Sequence, residues 1–510
     1  MAFNTIKDIV KYSTETFADM TAFKYIDGRE IIEKKYSDVK NDSETISCVL
    51  NCMNLAGKHI ALIGTSSYPW IVSYLGIVNS ASVAVPLDAS LPAEELYDLL
   101  NRSDSSALFY DKTHTAVADG VRENCPGITH IVCLQDTESA DGEYSYSLPV
   151  LMQECKCTCE NSNYETEIDP GKMCTLMFTS GTTGKSKGVM LSNRNLASNV
   201  EACVVQIEPG TVSMSVLPIH HSYCLTSDIL KSMSLGSCIC INDSMLHFTK
   251  NLQKFKPKVI LLVPLIIETI YHQLRDTKAN IPKEMIAKAA FGGNLEIIFS
   301  GGAYLNPDLV DFFAEYGISV LQGYGMTECS PVISNNNQIN SKNGSIGKPL
   351  KNCCVKFVDE EICIKGSSVM LGYYNMPKET AEALDEDGWL HTGDLGYLDD
   401  EGYLYITGRK KNLIILSNGE NISPEELENA LGKNDLVMEV LVRENGQAIE
   451  AEIFPDAEYA EKHGISDINA ALQDIIDKFN KDMPLYKRIT SFKTRDTEFE
   501  KNTTKKIKRF

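Results

Sequence analysis

In the first 150 residues, short apolar runs alternate with stretches of helical period. Residues 3–17 carry apolar positions at helical spacing. Residues 59–64 (His-Ile-Ala-Leu-Ile-Gly) read as a short buried strand, followed by an apolar helix over 70–79. Residues 81–87 read as a second strand and 92–101 as a second helix. Alternation of this kind predicts a mainly parallel sheet covered by helices. The pattern returns later, with strands over 258–263, 295–300 and 318–322 and helices from Pro264 and over 307–316. The acidic, serine-rich stretch 136–147 reads as a solvated loop.

The texture changes near residue 340, where turns, glycines and short strands (361–365, 403–407) dominate. A boundary is expected just after Gly408. Beyond it, helices over 424–431 and 468–480 and strands over 437–443 and 448–454 make a small α/β unit. The expected architecture is therefore α/β: a large N-terminal domain, 1–408, of mainly parallel sheets with a β-rich subdomain, and a small C-terminal domain, 409–510. With 510 residues and 43% apolar content, the chain is too long for one compact unit.

The strongest local signal is Thr179-Ser180-Gly181-Thr182-Thr183-Gly184-Lys185-Ser186-Lys187-Gly188, after the apolar strand 174–178. Glycines and hydroxyls let backbone wrap closely around phosphate oxygens, and the lysines add charge. A Walker loop needs a glycine where Thr179 stands, so that reading fails. The segment resembles the phosphate loop of the AMP-binding superfamily, which includes acyl-CoA synthetases, firefly luciferase and peptide-synthetase adenylation domains. Ser186 stands where that family usually has proline.

The resemblance extends along nearly the whole chain. Gln322-Gly323-Tyr324-Gly325-Met326-Thr327-Glu328 is similar to the family segment in which, by implication, Tyr324 lines the adenine, Thr327 contacts the α-phosphate and Glu328 holds Mg²⁺. An aromatic face suits a purine, and a carboxylate is a hard ligand suited to magnesium. Ser300-Gly301-Gly302-Ala303 resembles the adenine-edge loop. Asp394, in Gly388-Trp389-Leu390-His391-Thr392-Gly393-Asp394, matches the ribose-binding aspartate. Arg409 matches an arginine near ribose and phosphate, and Lys411 matches the hinge between the domains, about which the C-terminal domain is expected to rotate. Pro424 is expected as the first helical residue after a Ser423 cap. His221, in Leu217-Pro218-Ile219-His220-His221-Ser222-Tyr223, matches the histidine that shapes the carboxylate pocket; Tyr223, Gly301, Met326 and Val332 are expected in its wall.

From Lys487 onward nine basic residues face three acidic ones, in a chain of net charge -21. Counting back from Arg509 on the family pattern makes Lys506 the adenylation lysine. Glu500 and Lys505 stand where the family has proline and glycine, so Lys505 stays an alternative.

The acidic balance argues against nucleic acid as a partner. No apolar run reaches the ~20 residues of a membrane helix and no leader is seen, so a cytoplasmic protein with reduced thiols is expected; peripheral membrane contact stays open. Cys155, Cys157 and Cys159 alternate in a polar stretch, unlike the Cys-x-x-Cys of zinc sites, and read as surface thiols.

The resemblance implies an ATP-dependent acid–thiol ligase using Mg²⁺. It would form an acyl-adenylate and then a thioester, with a medium- or long-chain fatty acid passed to coenzyme A. The alternative is an acyl, aryl or amino acid ligase that loads the phosphopantetheine of a carrier protein such as an acyl carrier protein. A non-catalytic nucleotide-binding relative and a luciferase-like oxygenase are the other readings.

Overall fold

The computed structural model describes residues 3–138, 140–158, 166–179, 185–275, 281–415, 420–446, 448–501 and 507–509. An eight-stranded sheet runs in the order Gly372–Tyr373, Lys187–Ser192, Met173–Thr179, Val83–Leu87, His59–Ile63, Ala107–Tyr110, His130–Cys133, Ser145–Ser147. From Met173–Thr179 onward neighbouring strands are parallel. The first two strands are added antiparallel. A nine-stranded sheet has a parallel centre built from Thr21–Asp27, Cys238–Ile241, Val212–Ser215, Val259–Leu262, Ile297–Ser300 and Ser319–Gly325. Its edges are antiparallel.

Why the centres are parallel is visible in the residues. Val83–Leu87, Ala107–Tyr110 and Val259–Leu262 are buried along their whole length, as strands covered by helices on both faces must be. The helix Tyr68–Asn79 is apolar all round and buried over nearly its whole length, which places it between layers rather than at a surface. The main core runs through this interlayer, with Trp70, Tyr74, Phe23 and Phe109 fully buried. Each such side chain contributes about 2–3 kcal/mol of transfer free energy.

The β-rich part is a four-stranded antiparallel sheet of Cys353–Val358, Glu361–Gly366, Leu390–Leu398 and Leu404–Arg409. Residues 414–489 hold a separate core under the sheet Val437–Asn445, Ala448–Pro455, Ile489–Thr494. The mixed α/β architecture is the expected one. Three local expectations are corrected. Ser145–Ser147, read as loop, pairs with His130–Cys133 as an edge strand, because its residues stand in parallel register with Ile131 to Cys133. The Ser423 hydroxyl does not cap its helix but donates to Glu425 (3.0 Å), although Pro424 does begin it. Cys155 is no surface thiol: it is buried. The side chains of Cys157 and Cys159 lie outside the described residues. Among the described residues no helix is long and apolar enough to cross a membrane.

Candidate functional site

Thr179, Gly301 and Tyr324 lie at the carboxyl ends of parallel strands, where an open α/β sheet leaves its loops, and Asp394 and Arg409 come from the antiparallel four-stranded sheet. Thr179 ends one strand and stands directly opposite Lys187 on the next, so the two close a hairpin. Ser180, Gly181, Thr182, Thr183 and Gly184 lie outside the described residues. Lys187 Nζ sits 4.8 Å over the ring of Tyr373, a cation–π arrangement. Tyr373 belongs to the strand paired with this one, opposite Val189. Its hydroxyl donates to Glu328 Oε1 at 2.8 Å, and burial with the adjacent carboxylate raises its pKa.

Glu328 lies in the single turn Thr327–Cys329 after the strand Ser319–Gly325. It is 8% exposed. Its hydrogen-bond partner is neutral, and among the described residues it forms no ion pair. A buried carboxylate without a counter-charge is costly, and an added cation removes that cost; the donor set fits a hard divalent ion. Thr327 Oγ1 lies 3.3 Å from Ser222 Oγ, which ties the turn to the segment carrying His221. The turn is held tightly: a Cβ on Gly325 would stand 2.0 Å from the Pro331 carbonyl, so only glycine fits there.

Asp394 is the centre of the second group. It stands opposite Arg409 in an antiparallel pair, and Arg409 Nε lies 2.8 Å from its Oδ1. The Tyr324 hydroxyl donates to Oδ2 at 2.6 Å. Asp394 is 4% exposed. Burial, and then the Asp394 charge, push the Tyr324 pKa well up, so the phenol stays protonated.

Arg409 leads into the turn Lys410–Asn412, which contains Lys411. Thr392, Gly393, Arg409, Lys410 and Lys411 line a cleft of about 310 Å³. Glu361 fastens this junction, accepting from Lys410 Nζ (2.9 Å) and the Gly393 N–H (3.0 Å). Burial pushes the Glu361 pKa up, but Lys410, His391 and the Gly393 amide outweigh it and hold it below the usual range. Desolvation, then neighbouring Arg409, lower the Lys411 pKa.

Gly301 and Gly302 follow the strand Ile297–Ser300, with Gly302 at φ +88°. A Cβ on Gly301 would stand 3.0 Å from the Tyr223 ring. Gly302 and Ala303 are exposed. The Tyr223 hydroxyl donates to the Phe299 carbonyl (3.3 Å). The His221 ring lies tilted against that of His220, 4.1 Å between ring centroids. Burial, then His221, keep His220 neutral. Tyr223 opens a π-helical segment, Tyr223–Leu230, a geometry that recurs at functional sites. On it sits Asp228, fully buried, neither oxygen of which makes a well-formed hydrogen bond among the described residues. Burial lifts its pKa to about 7, eased by the Ser215 hydroxyl.

Lys506 and Lys505 lie outside the described residues, but their flanks are placed. Lys501 and Ile507 form an antiparallel bridge, and the Lys508 N–H donates to the Glu500 carbonyl at 2.8 Å. Arg509 grips Glu428 with both Nη atoms, Nη1 at 2.9 Å, and lies 3.3 Å from Glu425. Sequence reasoning used Arg509 only as a ruler and missed Tyr373, Glu361 and Asp228. Tyr373 and Glu361 belong to no motif. An aspartate two turns after a His-His pair carries no signal until its burial is known.

Residues 10–374 match the family model for AMP-binding enzymes, and residues 411–509 match that for the AMP-binding enzyme C-terminal domain. A long-chain-fatty-acid–CoA ligase 5 of Rattus norvegicus is 26% identical over 498 residues, covering 84% of this chain and 72% of the relative. Long-chain-fatty-acid–CoA ligase FadD15 of Mycobacterium bovis is 25% identical over 433 residues, covering 76% and 71%. Among solved structures, the anthranilate CoA ligase AuaEII with anthranoyl-AMP superposes with TM-score 0.85 at 20% identity, covering 100% of this chain and 96% of that one. O-succinylbenzoate coenzyme A synthetase of Bacillus subtilis with AMP gives 0.76 at 24%, covering 98% and 97%. These two likenesses concern the fold.

Proposed function

The chain belongs to the AMP-binding enzyme family, and on that premise we propose that it is an ATP-dependent acid–thiol ligase joining a medium- or long-chain fatty acid to coenzyme A. The observation that carries the reading is the convergence of Tyr324 and Arg409 on the Asp394 carboxylate, together with the Lys187–Tyr373–Glu328 group. The fatty acid is supported by the names of the relatives that span most of the chain.

A carboxylate is a poor electrophile. Its oxygen attacks the α-phosphorus of ATP, the bond to the β-phosphate oxygen breaks, and acyl-AMP and pyrophosphate form. The thiol then attacks the acyl carbon, losing its proton, and AMP leaves. Neither step needs a protein nucleophile; the protein positions the groups and offsets charge. Asp394 accepts from the ribose hydroxyls with the lone pairs that Tyr324 and Arg409 leave. Tyr324 and Gly301–Ala303 flank the adenine. The hairpin from Thr179 to Lys187 and Thr327 take the phosphates. Glu328 holds magnesium, which when bound neutralises polyphosphate charge. His221 and Tyr223 shape the carboxylate end of the acid pocket.

Lys506 supplies charge during adenylation. The division after Gly408 then serves as a joint: rotation about Lys411 withdraws Lys506 and admits the thiol. The support is the junction's position between two separate cores and its place beside Arg409. Incubation with ATP, magnesium, hexadecanoate and coenzyme A tests the function. Acyl-CoA, AMP and pyrophosphate in equal amounts support it; acyl transfer only to a carrier-protein phosphopantetheine would replace the acceptor, and ATP binding without any product would replace the reading.

A further inference from the structure

Cys48 and Cys52 lie one turn apart on the helix Tyr36–Cys52, and Cys155 lies on the helix Leu148–Thr158. The three Sγ atoms all lie within 4.8 Å of one another. Cys155 is buried, Cys48 is half-buried and Cys52 is exposed. Neither helix carries a residue of the ligase site. We propose that these three thiols are a binding site for a thiophilic d¹⁰ cation, zinc(II) or copper(I).

The geometry is close to what such a cation requires. Zinc–sulfur bonds of about 2.3 Å in tetrahedral geometry put the sulfurs about 3.8 Å apart, so the thiols need to close by about 1 Å at most. The i,i+4 spacing places two ligands on one helix face, and the third comes from the helix packed against it. Soft sulfur donors select zinc or monovalent copper over magnesium or calcium. Cys52 at the surface gives the ion a path in. Three protein ligands leave zinc a fourth position for water, whereas copper(I) is complete with three. On binding, each thiol gives up its proton to solvent, so the metal–sulfur bonds form with release of up to three protons and no change of oxidation state.

The other cluster of candidate ligands shows the contrast. Glu361, Cys363 and His391 also gather closely, but Lys410 already neutralises that carboxylate at 2.9 Å. The ligands of the thiol cluster come from positions 48, 52 and 155, a spacing no sequence pattern for zinc sites contains.

The test is titration of the full-length, reduced, metal-free protein with zinc against a chromophoric chelator, with cadmium as an optical probe of thiolate bonds. Copper(I) in a separate arm decides which cation binds more tightly. Wild type should hold one equivalent more than Cys52→Ser/Cys155→Ser, with a thiolate charge-transfer band that the double variant lacks. Cys354→Ser, which removes an exposed thiol elsewhere, should keep both. If the double variant does not fold, Cys52→Ser alone carries the comparison and should weaken binding at least about tenfold. Equal stoichiometry and affinity in wild type and the cluster variants would overturn the proposal.

Discussion

Arg409 Nε lies 2.8 Å from one oxygen of Asp394, directly across an antiparallel pair, while Tyr324 donates to the other oxygen. The strand Leu404–Arg409 is thereby tied to the carboxylate proposed to hold the ribose. Asp394→Asn removes the charge that holds Arg409 and half the acceptor capacity offered to a sugar diol. A charge-assisted hydrogen bond contributes about 1.5–3 kcal/mol. The expected outcome is a KM for ATP raised at least about tenfold, with the thermal midpoint little changed. Steady-state kinetics in ATP check it.

Tyr373 is the only hydrogen-bond partner of the Glu328 carboxylate among the described residues, and the Lys187 ammonium rests on its ring. Tyr373→Phe keeps the ring and removes the hydroxyl. Glu328 then loses its orientation, and half-saturation by magnesium should rise several-fold, while cation–π support of Lys187 persists. Tyr373→Leu removes both and should also weaken ATP binding. Magnesium and ATP titrations of the two variants separate the contributions.

Arg509 anchors the tail by its two-nitrogen grip on Glu428, a half-buried carboxylate whose pKa desolvation raises against the pull of Arg509. Lys506→Ala should cripple adenylation yet spare thioester formation from supplied acyl-AMP. Arg509→Met should do the same more weakly, because it loosens the segment rather than removing the charge. Lys411→Pro should invert the pattern, sparing adenylation and impairing transfer. Half-reaction assays with acyl-AMP prepared separately decide all three.

The long apolar strands and the amphipathic helices were legible because their patterns are local. The helices from Pro424 and from Ile468 begin where the sequence places them. The hairpin of Thr21–Asp27 and Glu30–Lys35 was not read, because its polar second strand resembles loop until it pairs with the first at the edge of the larger sheet. Asp394, Arg409, Glu328 and Lys187 were found by motif, and the fold brings them into two groups, one on Asp394 and one on Tyr373. Tyr373 and Arg509 act through Glu328 and Glu428, 45 and 81 positions away, and Glu361 through Gly393 and Lys410, 32 and 49 away. No local pattern encodes such a pairing. The cysteine at 155 was misread for the same reason, since its neighbours lie a hundred residues earlier.

Asp228 makes a pH prediction. Its pKa is lifted to about 7 in the folded chain by burial beside Tyr223 and Cys224. The unfolded carboxyl ionises near pH 4. Folding stability therefore falls as pH rises from about 4 to about 7 and is level above that, by up to about 4 kcal/mol. Asp228→Asn stays neutral and should lose this slope. Urea unfolding of both proteins at about pH 5 and about pH 8 should show the variant gaining on wild type at the higher pH; parallel curves would contradict the assignment.

The most direct test of the central claim is acid-dependent exchange of labelled pyrophosphate into ATP, run over carboxylic acids from acetate to palmitate with aryl acids and amino acids included. The account predicts exchange that depends on acid and magnesium, strongest with medium- or long-chain fatty acids and lost in Lys506→Ala. ATP binding with no exchange for any acid would contradict it.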